Sequence, residues 1–215
     1  LVSEGSRPRL PWAPRLRAFQ RDPSPLLPLL DALVADPSLY VRRSVANNLN
    51  DISKDHPNLL LDIAARWKGL SAETDWVIRH ASRGLLKKGN TRALAHFGFQ
   101  NEVEGIEILH FRHDDRVRIG ERLDFSFEVR NTGAQSAAIR LEYGIDYQTL
   151  SGKTSVKVFK IKEFQLAPGQ SEQIVKYQRF QDFTTRKHFA GPHTLRILVN
   201  GKALAEGGFE VRGER

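Results

Sequence analysis

The chain has 215 residues, 40% of them hydrophobic, which suits one or two domains with real cores. It carries 33 Lys and Arg against 25 Asp and Glu, a formal charge of +8, and its lack of cysteine excludes disulfides and thiolate metal sites and fits a reducing compartment. No long apolar run and no signal-peptide pattern are present, so no transmembrane helix is expected; with no Met anywhere, the chain is expected either to start inside a longer protein or to have been processed.

Residues 1–22 hold Arg7, Arg9, Arg15, Arg17 and Arg21 among Pro8, Pro11 and Pro14, and this spacing predicts an extended basic segment around Trp12. Helical periodicity then predicts helices over 23–35, 38–54, 57–69 and 72–88, with a short one near 90–97. Asp36-Pro37-Ser38 and Ser71-Ala72-Glu73 supply starts, and Gly69 and Gly89 supply stops. Tyr40-Val41-Arg42-Arg43-Ser44-Val45 lies over Trp76-Val77-Ile78-Arg79-His80-Ala81 at an offset of 36 residues, the scale of a two-helix solenoid repeat.

The pattern changes near Gln100. Beyond it, short alternating runs predict seven strands at about 104–111, 122–130, 137–147, 154–165, 171–180, 193–200 and 203–211. Leu123, Phe125, Phe127 and Val129 form one clear inward set, and Val156, Val158, Ile161 and Leu166 a less regular one. Asn200-Gly201 reads as a two-residue hairpin turn. The expected fold class is therefore multidomain α + β: a HEAT-like α-solenoid over residues 1–100, then an all-β immunoglobulin-like sandwich over 101–215.

Charge separates the halves as well. Residues 1–100 hold 15 Lys and Arg against 9 Asp and Glu, or +6, while the remainder holds 18 against 16, or +2. A basic helical half favours a polyanionic partner, since phosphates attract Lys and Arg and release counterions on neutralisation; a solubilising surface is the alternative. At 100° per residue, helix 38–54 turns Val41, Val45, Leu49 and Ile52 to a core and sets Tyr40, Arg43, Asn47, Asn50, Asp51 and Lys54 opposite. Helix 72–88 likewise buries Val77, Ala81 and Leu85 and sets Trp76, Arg79, Arg83 and Lys87 opposite. Guanidinium groups can hold phosphates bidentately, Asn can donate to phosphate or base edges, and aromatic faces can stack on a base. Trp76 serves equally well as a packing residue.

Asp51 is the one carboxylate on this basic, aromatic stripe. Either it pairs with Arg43, Asn47 or Lys54 one turn away, or it faces a developing positive charge in the groove. The run His110-Phe111-Arg112-His113-Asp114-Asp115 reads as a strand end entering a turn rather than a metal site, and His56 before Pro57 as a helix-boundary residue. No Gly-rich phosphate loop, nucleophile elbow or His-Glu-x-x-His motif is present.

Three segments, Glu4-Gly-Ser-Arg-Pro-Arg-Leu-Pro-Trp12, Tyr40 to Pro57 and Trp76 to Gly89, resemble the AlkC branch of the alkylpurine DNA glycosylases, whose members can carry an Ig-like domain after their HEAT-like repeats. The resemblance implies a bacterial DNA-repair enzyme of the cytoplasm and nucleoid. It would act as a monomer without cofactor or metal, removing N3-alkylated bases such as 3-methyladenine, and 3-methylcytosine as a wider possibility, from double-stranded DNA. Asp51 matches the family's aspartate in the Asn-Asp-Ile segment and Trp12 the aromatic after Arg-Pro-Arg, which makes them the expected catalytic pair. Arg7, Arg9, Arg43, Arg79 and Arg83 would hold phosphates, with Asn47, Lys54, Trp76 and Lys87 beside them. Lys153, Arg186, Lys187 and His188 are the expected contacts from the Ig-like domain. The family has further helical repeats ahead of this point, with a second acidic residue, so this stretch alone is expected to supply only part of the groove. A non-catalytic DNA-binding HEAT–Ig module and a protein scaffold are the alternatives.

Overall fold

A computed structural model, describing residues 2–100, 102–184 and 187–213, divides the chain into two units, Leu1–Phe97 and Gly98–Arg215. In the first, α3 (Leu27–Leu33), α4 (Leu39–Ile52), α5 (Pro57–Trp67), α6 (Ala72–Ala81), α7 (Arg83–Lys87) and α8 (Thr91–His96) follow the periodicity of the sequence. The Ser71 hydroxyl accepts from the Thr74 N–H at the start of α6, and Asn90 Oδ1 accepts from Ala93 at the start of α8. Gly69 (φ 77°) and Gly89 (φ 65°) end their helices in the left-handed region, where a Cβ would be strained.

These helices form two layers, and repeat-spaced hydrogen bonds tie each layer together. The first helices of successive pairs meet where Asp31 Oδ1 accepts from Arg66 Nη2 and from the Trp67 indole, and where Arg92 on α8 reaches Asp62 on α5. The second helix of the first pair, α4, lies beside α6 and α7: Arg83 Nη2 at the start of α7 donates to Asn47 Oδ1 at 2.9 Å, joining positions that the 36-residue repeat makes equivalent. Val45, Leu49, Ile52, Leu60, Val77 and Ala81 are fully buried between the layers.

Two expectations fail in this unit. Helix 72–88 is broken at Ser82, because Asn50 Nδ2 takes the Ala81 carbonyl at 2.7 Å, which an unbroken helix would offer to the Leu85 N–H. Gly84 leaves room for that amide: a Cβ there would stand 3.1 Å from Asn50 Nδ2. The basic N-terminal segment is not extended throughout either. The helices α1 (Val2–Gly5) and α2 (Arg17–Arg21) flank it, and only the proline-bearing stretch between them is irregular.

The second unit is a sandwich of a three-stranded sheet, β1-β3-β6, on a five-stranded sheet, β2-β8-β7-β4-β5. Its strands are β1 (Ile106–His113), β2 (Arg116–Arg118), β3 (Arg122–Asn131), β4 (Ala137–Gln148), β5 (Thr154–Leu166), β6 (Ser171–Arg179), β7 (Gly191–Val199) and β8 (Lys202–Arg212). The short β2, which pairs in parallel with β8, has no sequence signal and makes eight strands, among the described residues, of the expected seven. Leu123, Phe125, Phe127 and Val129 point inward as their alternation requires, against Ile139, Leu141 and Ile145 of β4 and Leu195, Ile197 and Val199 of β7. In β5 the expected inward set is half right: Leu166 is in the core and Ile161 packs against it, but Val156 and Val158 do not. A register shift opposite Leu141 and Glu142 turns Phe159 and Phe164 onto the core, and Val156 is exposed. β1 runs two residues further than expected, through a bulge at His110 (φ 53°).

Asn200 holds one end of the sandwich. It sits with Gly201 in the β7–β8 turn, both at positive φ as this hairpin type demands. Its Oδ1 accepts from the Arg140 N–H, and its Nδ2 donates to the carbonyls of Gln100 and Ala138. Asn200→Ala removes all three bonds and places a Cβ-bearing residue with no local compensation at φ 49°, and should cost about 2–4 kcal/mol of unfolding free energy. Asn200→Gly should recover about 1 kcal/mol of that. Urea denaturation of the three forms checks both figures, and equal midpoints for Ala and wild type would remove the anchoring role.

Candidate functional site

The stripe expected to be open to solvent on α4 is half covered. Tyr40 and Arg43 are exposed as expected, but Asn50 and Asp51 are buried, Asp51 to 2% exposure. Asn50 lies against Ala81 and Gly84, and the cover over Asp51 is α1 and the turn after it. Ser3 Oγ donates to Ser44 Oγ, Ser44 Oγ donates to Glu4 Oε2, and Asn48 Nδ2 donates to the Ser3 carbonyl. The same stretch delivers Arg7, whose Nη1 donates to Glu4 Oε1 at 2.7 Å and whose Nε donates to Asp51 Oδ2 at 2.9 Å. Lys54 Nζ takes the other Asp51 oxygen, Oδ1, at 2.7 Å. Of the neighbours named from the sequence, only Lys54 is a partner. Asn47 turns to Arg83, and among the described residues no ion pair joins Asp51 to Arg43.

Arg7 is thus not an open phosphate ligand. It is buried, and its guanidinium spans two carboxylates. Burial works against its charge, but the hydrogen bonds from Glu4 and Asp51 outweigh that and raise its pKa above the usual arginine value. Arg9 is partly exposed and paired with Asp55 through Nη2 at 2.6 Å. Beside it, Arg9, Leu10, Ala13, Arg15 and Lys54 line an open, mainly polar cavity of about 310 Å³. Trp12 stands on the turn that carries this wall, fully exposed and at φ 64°. A bulky residue at positive φ is strained, and here the strain accompanies an indole presented wholly to solvent.

The neighbouring helix gives a second cluster. Trp76 is half-buried and stacks on His80, with ring centroids 5.0 Å apart and planes 8° from parallel. The Arg79 guanidinium lies 4.7 Å from the centroid of Phe97. Burial, then the nearby charges of Arg83 and Arg43, hold His80 below the usual histidine pKa. Arg83 is itself lowered by burial, with Asp51 opposing and Arg7 adding to the shift. Lys87 is exposed.

Comparison with known proteins gives two relatives that span nearly the whole chain. The uncharacterised protein YhaZ of Bacillus subtilis (strain 168) is 47% identical over 216 residues, 98% of this chain and 58% of YhaZ. A solved structure of the Pseudomonas fluorescens alkylpurine DNA glycosylase AlkC, bound to DNA containing an abasic site analog, is 44% identical with a TM-score of 0.94, over 98% of this chain and 59% of that one. Over nearly its whole length the chain is similar to AlkC. The family model for the C-terminal Ig-like domain of YhaZ also matches, over residues 107–213. The chain spans under three fifths of the length of either relative.

The residues singled out by sequence divide by unit. Arg9 and Lys54 line one cavity and Lys54 pairs with Asp51, Trp12 is exposed on the turn between Leu10 and Ala13 of the same wall, and Asn47 and Arg83 join α4 to α7. In the Ig-like unit, Lys153 is exposed at the β4–β5 turn and Lys187 is exposed beside Asp182. His188 is a misassignment as a surface contact: it is buried among Phe180 and Tyr147, with Nδ1 3.1 Å from Asp182 Oδ1. Arg186 lies outside the described residues. Glu4 and Ser44, which set Arg7, drew no attention in the sequence; only their packing across 40 residues gives them a role. Among the described residues no helix is long and apolar enough to cross a membrane.

Two outcomes follow for the helical unit. Arg7→Ala leaves Asp51 and Glu4 without their shared cation and should lower unfolding free energy by about 3–5 kcal/mol, while Arg43→Ala on the exposed face should stay within about 0.5 kcal/mol of wild type. Similar losses for both would contradict the buried network. The second outcome concerns acid. His80 has a folded pKa below its unfolded value of 6.5, and burial lowers His96 and His193 in the same direction. Above 6.5 these rings are neutral in both states. As the pH falls below 6.5 the unfolded chain takes up protons that the folded one refuses, so stability declines until the folded rings titrate. The urea midpoint should therefore fall between about pH 7.5 and about pH 5.5, and His80→Gln should flatten part of that fall; an identical pH slope in the variant would clear His80 of the effect.

Proposed function

We propose that the full-length protein is a DNA-repair glycosylase that hydrolyses the N-glycosidic bond of cationic N3-alkylated bases, 3-methyladenine first among them. The observation that carries this reading is the pairing of a 0.94 TM-score to a DNA-bound alkylpurine glycosylase with a carboxylate, Asp51, whose partner Lys54 lines a basic cavity on the wall that carries the exposed Trp12. A base alkylated at N3 is already positively charged and leaves readily, so no proton need be supplied to it. What the protein must supply is negative charge near an oxocarbenium-like sugar and a position for water, and a carboxylate can give both. Asp51 takes that role. Trp12 would lie against the lesion nucleotide or its sugar, and Arg9, Arg15 and Lys54 would hold backbone phosphate at the cavity beside it. Arg43, Arg79, Arg83 and Lys87 would extend the phosphate track, and Lys153 and Lys187 would contact DNA from the Ig-like unit.

A second reading, a DNA-binding module without catalysis, draws on one observation: Asp51 is 2% exposed and both its oxygens are paired. The two readings separate in a single-turnover assay of base release from 3-methyladenine DNA by the full-length protein. Asp51→Asn should slow release by about 100-fold, the scale of losing one electrostatic stabiliser of the transition state, while still binding duplex that carries an abasic-site analog. Wild-type release rates in that variant would make Asp51 structural; no release by the wild-type protein would favour the binding module.

A further inference from the structure

Asp51 has two cationic partners, and they differ in freedom. Arg7 is clamped between Glu4 and Asp51, with 10% of its side chain exposed. Lys54 makes one ion pair, to Asp51 Oδ1, and 47% of its side chain is exposed. Its ammonium also borders the cavity of about 310 Å³ whose other charged lining groups are the guanidinium groups of Arg9 and Arg15. Lys54 therefore stands between a buried carboxylate oxygen and a cationic recess open to solvent.

An ammonium on a flexible four-carbon stem can change partners by rotating its own side chain, and a phosphodiester competes for it on equal terms with a carboxylate, one charge each with charge-assisted hydrogen bonds. Arg9 is already neutralised by Asp55, so a phosphate entering the recess needs further positive charge, and Lys54 is within the same wall. We propose that Lys54 is an exchangeable cover on Asp51: a backbone phosphate seated at Arg9 and Arg15 draws the ammonium away and bares Oδ1. Lys54 is then a positioning residue that acts through Asp51. The exchange rests on the reading of the partner as DNA, and it reconciles a carboxylate buried in the free protein with one that must face a sugar in the complex. Without a phosphate in place, Asp51 stays doubly paired; with one, Arg7 alone of its two ion-pair partners stays on it.

The test is the salt dependence of binding of the full-length protein to duplex carrying an abasic-site analog, followed by fluorescence anisotropy. Each lysine on a phosphate contributes about 0.9 to the slope of log K against log salt. If the exchange occurs, Lys54→Met and Lys54→Gln lower the slope by about one, Lys54→Arg retains it, and Asp51→Asn leaves it unchanged because Lys54 is already on phosphate in the wild-type complex. If Lys54 instead stays on Asp51, Lys54→Met leaves the slope as it was and Asp51→Asn raises it by freeing the ammonium; either result overturns the proposal. Base release is scored separately on the wild-type protein. Its absence would remove the glycosylase reading while the slopes still decide the exchange.

Discussion

Arg7 and Asp51 meet where almost no water reaches, one from the turn after α1 and the other from the last full turn of α4, 44 residues later in the chain. Two ions taken out of water gain little net stability by pairing, but either one alone would be strongly unfavourable there. The pair therefore acts as a constraint on register. α1 can lie on α4 only in the position that brings Arg7 to Asp51, Glu4 to Ser44 and Ser3 to Ser44 together. The turn that follows is directed by the same constraint, and with it Arg9 comes to Asp55 and Trp12 to full exposure.

The rest of the helical unit repeats this logic with weaker bonds. Asn50 with the Ala81 carbonyl holds α6 against α4, Asn47 with Arg83 holds α7 against it, and Asp31 holds α5 against α3. Each bond joins positions separated by roughly one repeat, so the two layers advance in step. The polar residues that looked from the sequence like an open ligand face are in part the fasteners between helices. Asn50 illustrates the point: a buried amide must find partners, and it finds one by interrupting the next helix. What remains open, namely Trp12, Arg43, Lys54 and Lys87, is what the inter-helix bonds leave unused or only lightly held.

The Ig-like unit rests on apolar alternation backed by two buried asparagines. Asn131 donates to the carbonyls of Gln135 and Leu166 and accepts from Gly133, closing the β3–β4 turn much as Asn200 closes the β7–β8 turn. On β4, Arg140 is buried between Glu142 and Glu163, so this strand has few exposed positions on either face. The burial of His188 has the same origin. The loop before β7 folds its histidine in among Phe180 and Tyr147, and of the expected basic contacts there Lys187 is described at the surface.

Local order was legible in the amino-acid sequence, because helix and strand periods, N-caps, left-handed glycines and the Asn200-Gly201 turn depend on neighbours within a few residues. The helical repeat, the change to β structure near Gln100 and the alternating core of β3 come from that source, and the AlkC resemblance rests on segments of the same kind. Tertiary packing alone decided which polar groups stayed in water. Whether Arg7 holds a phosphate or a buried carboxylate depends on α1 crossing α4, and whether β5 turns Val156 or Phe159 inward depends on a bulge in its pairing with β4. Both are outcomes of contacts between segments far apart in the chain, for which a single sequence carries no local signal. Asp51 shows the division most clearly: its helix and its place in the repeat were readable from the chain, but its burial and its pairing with Arg7 belong to the folded structure.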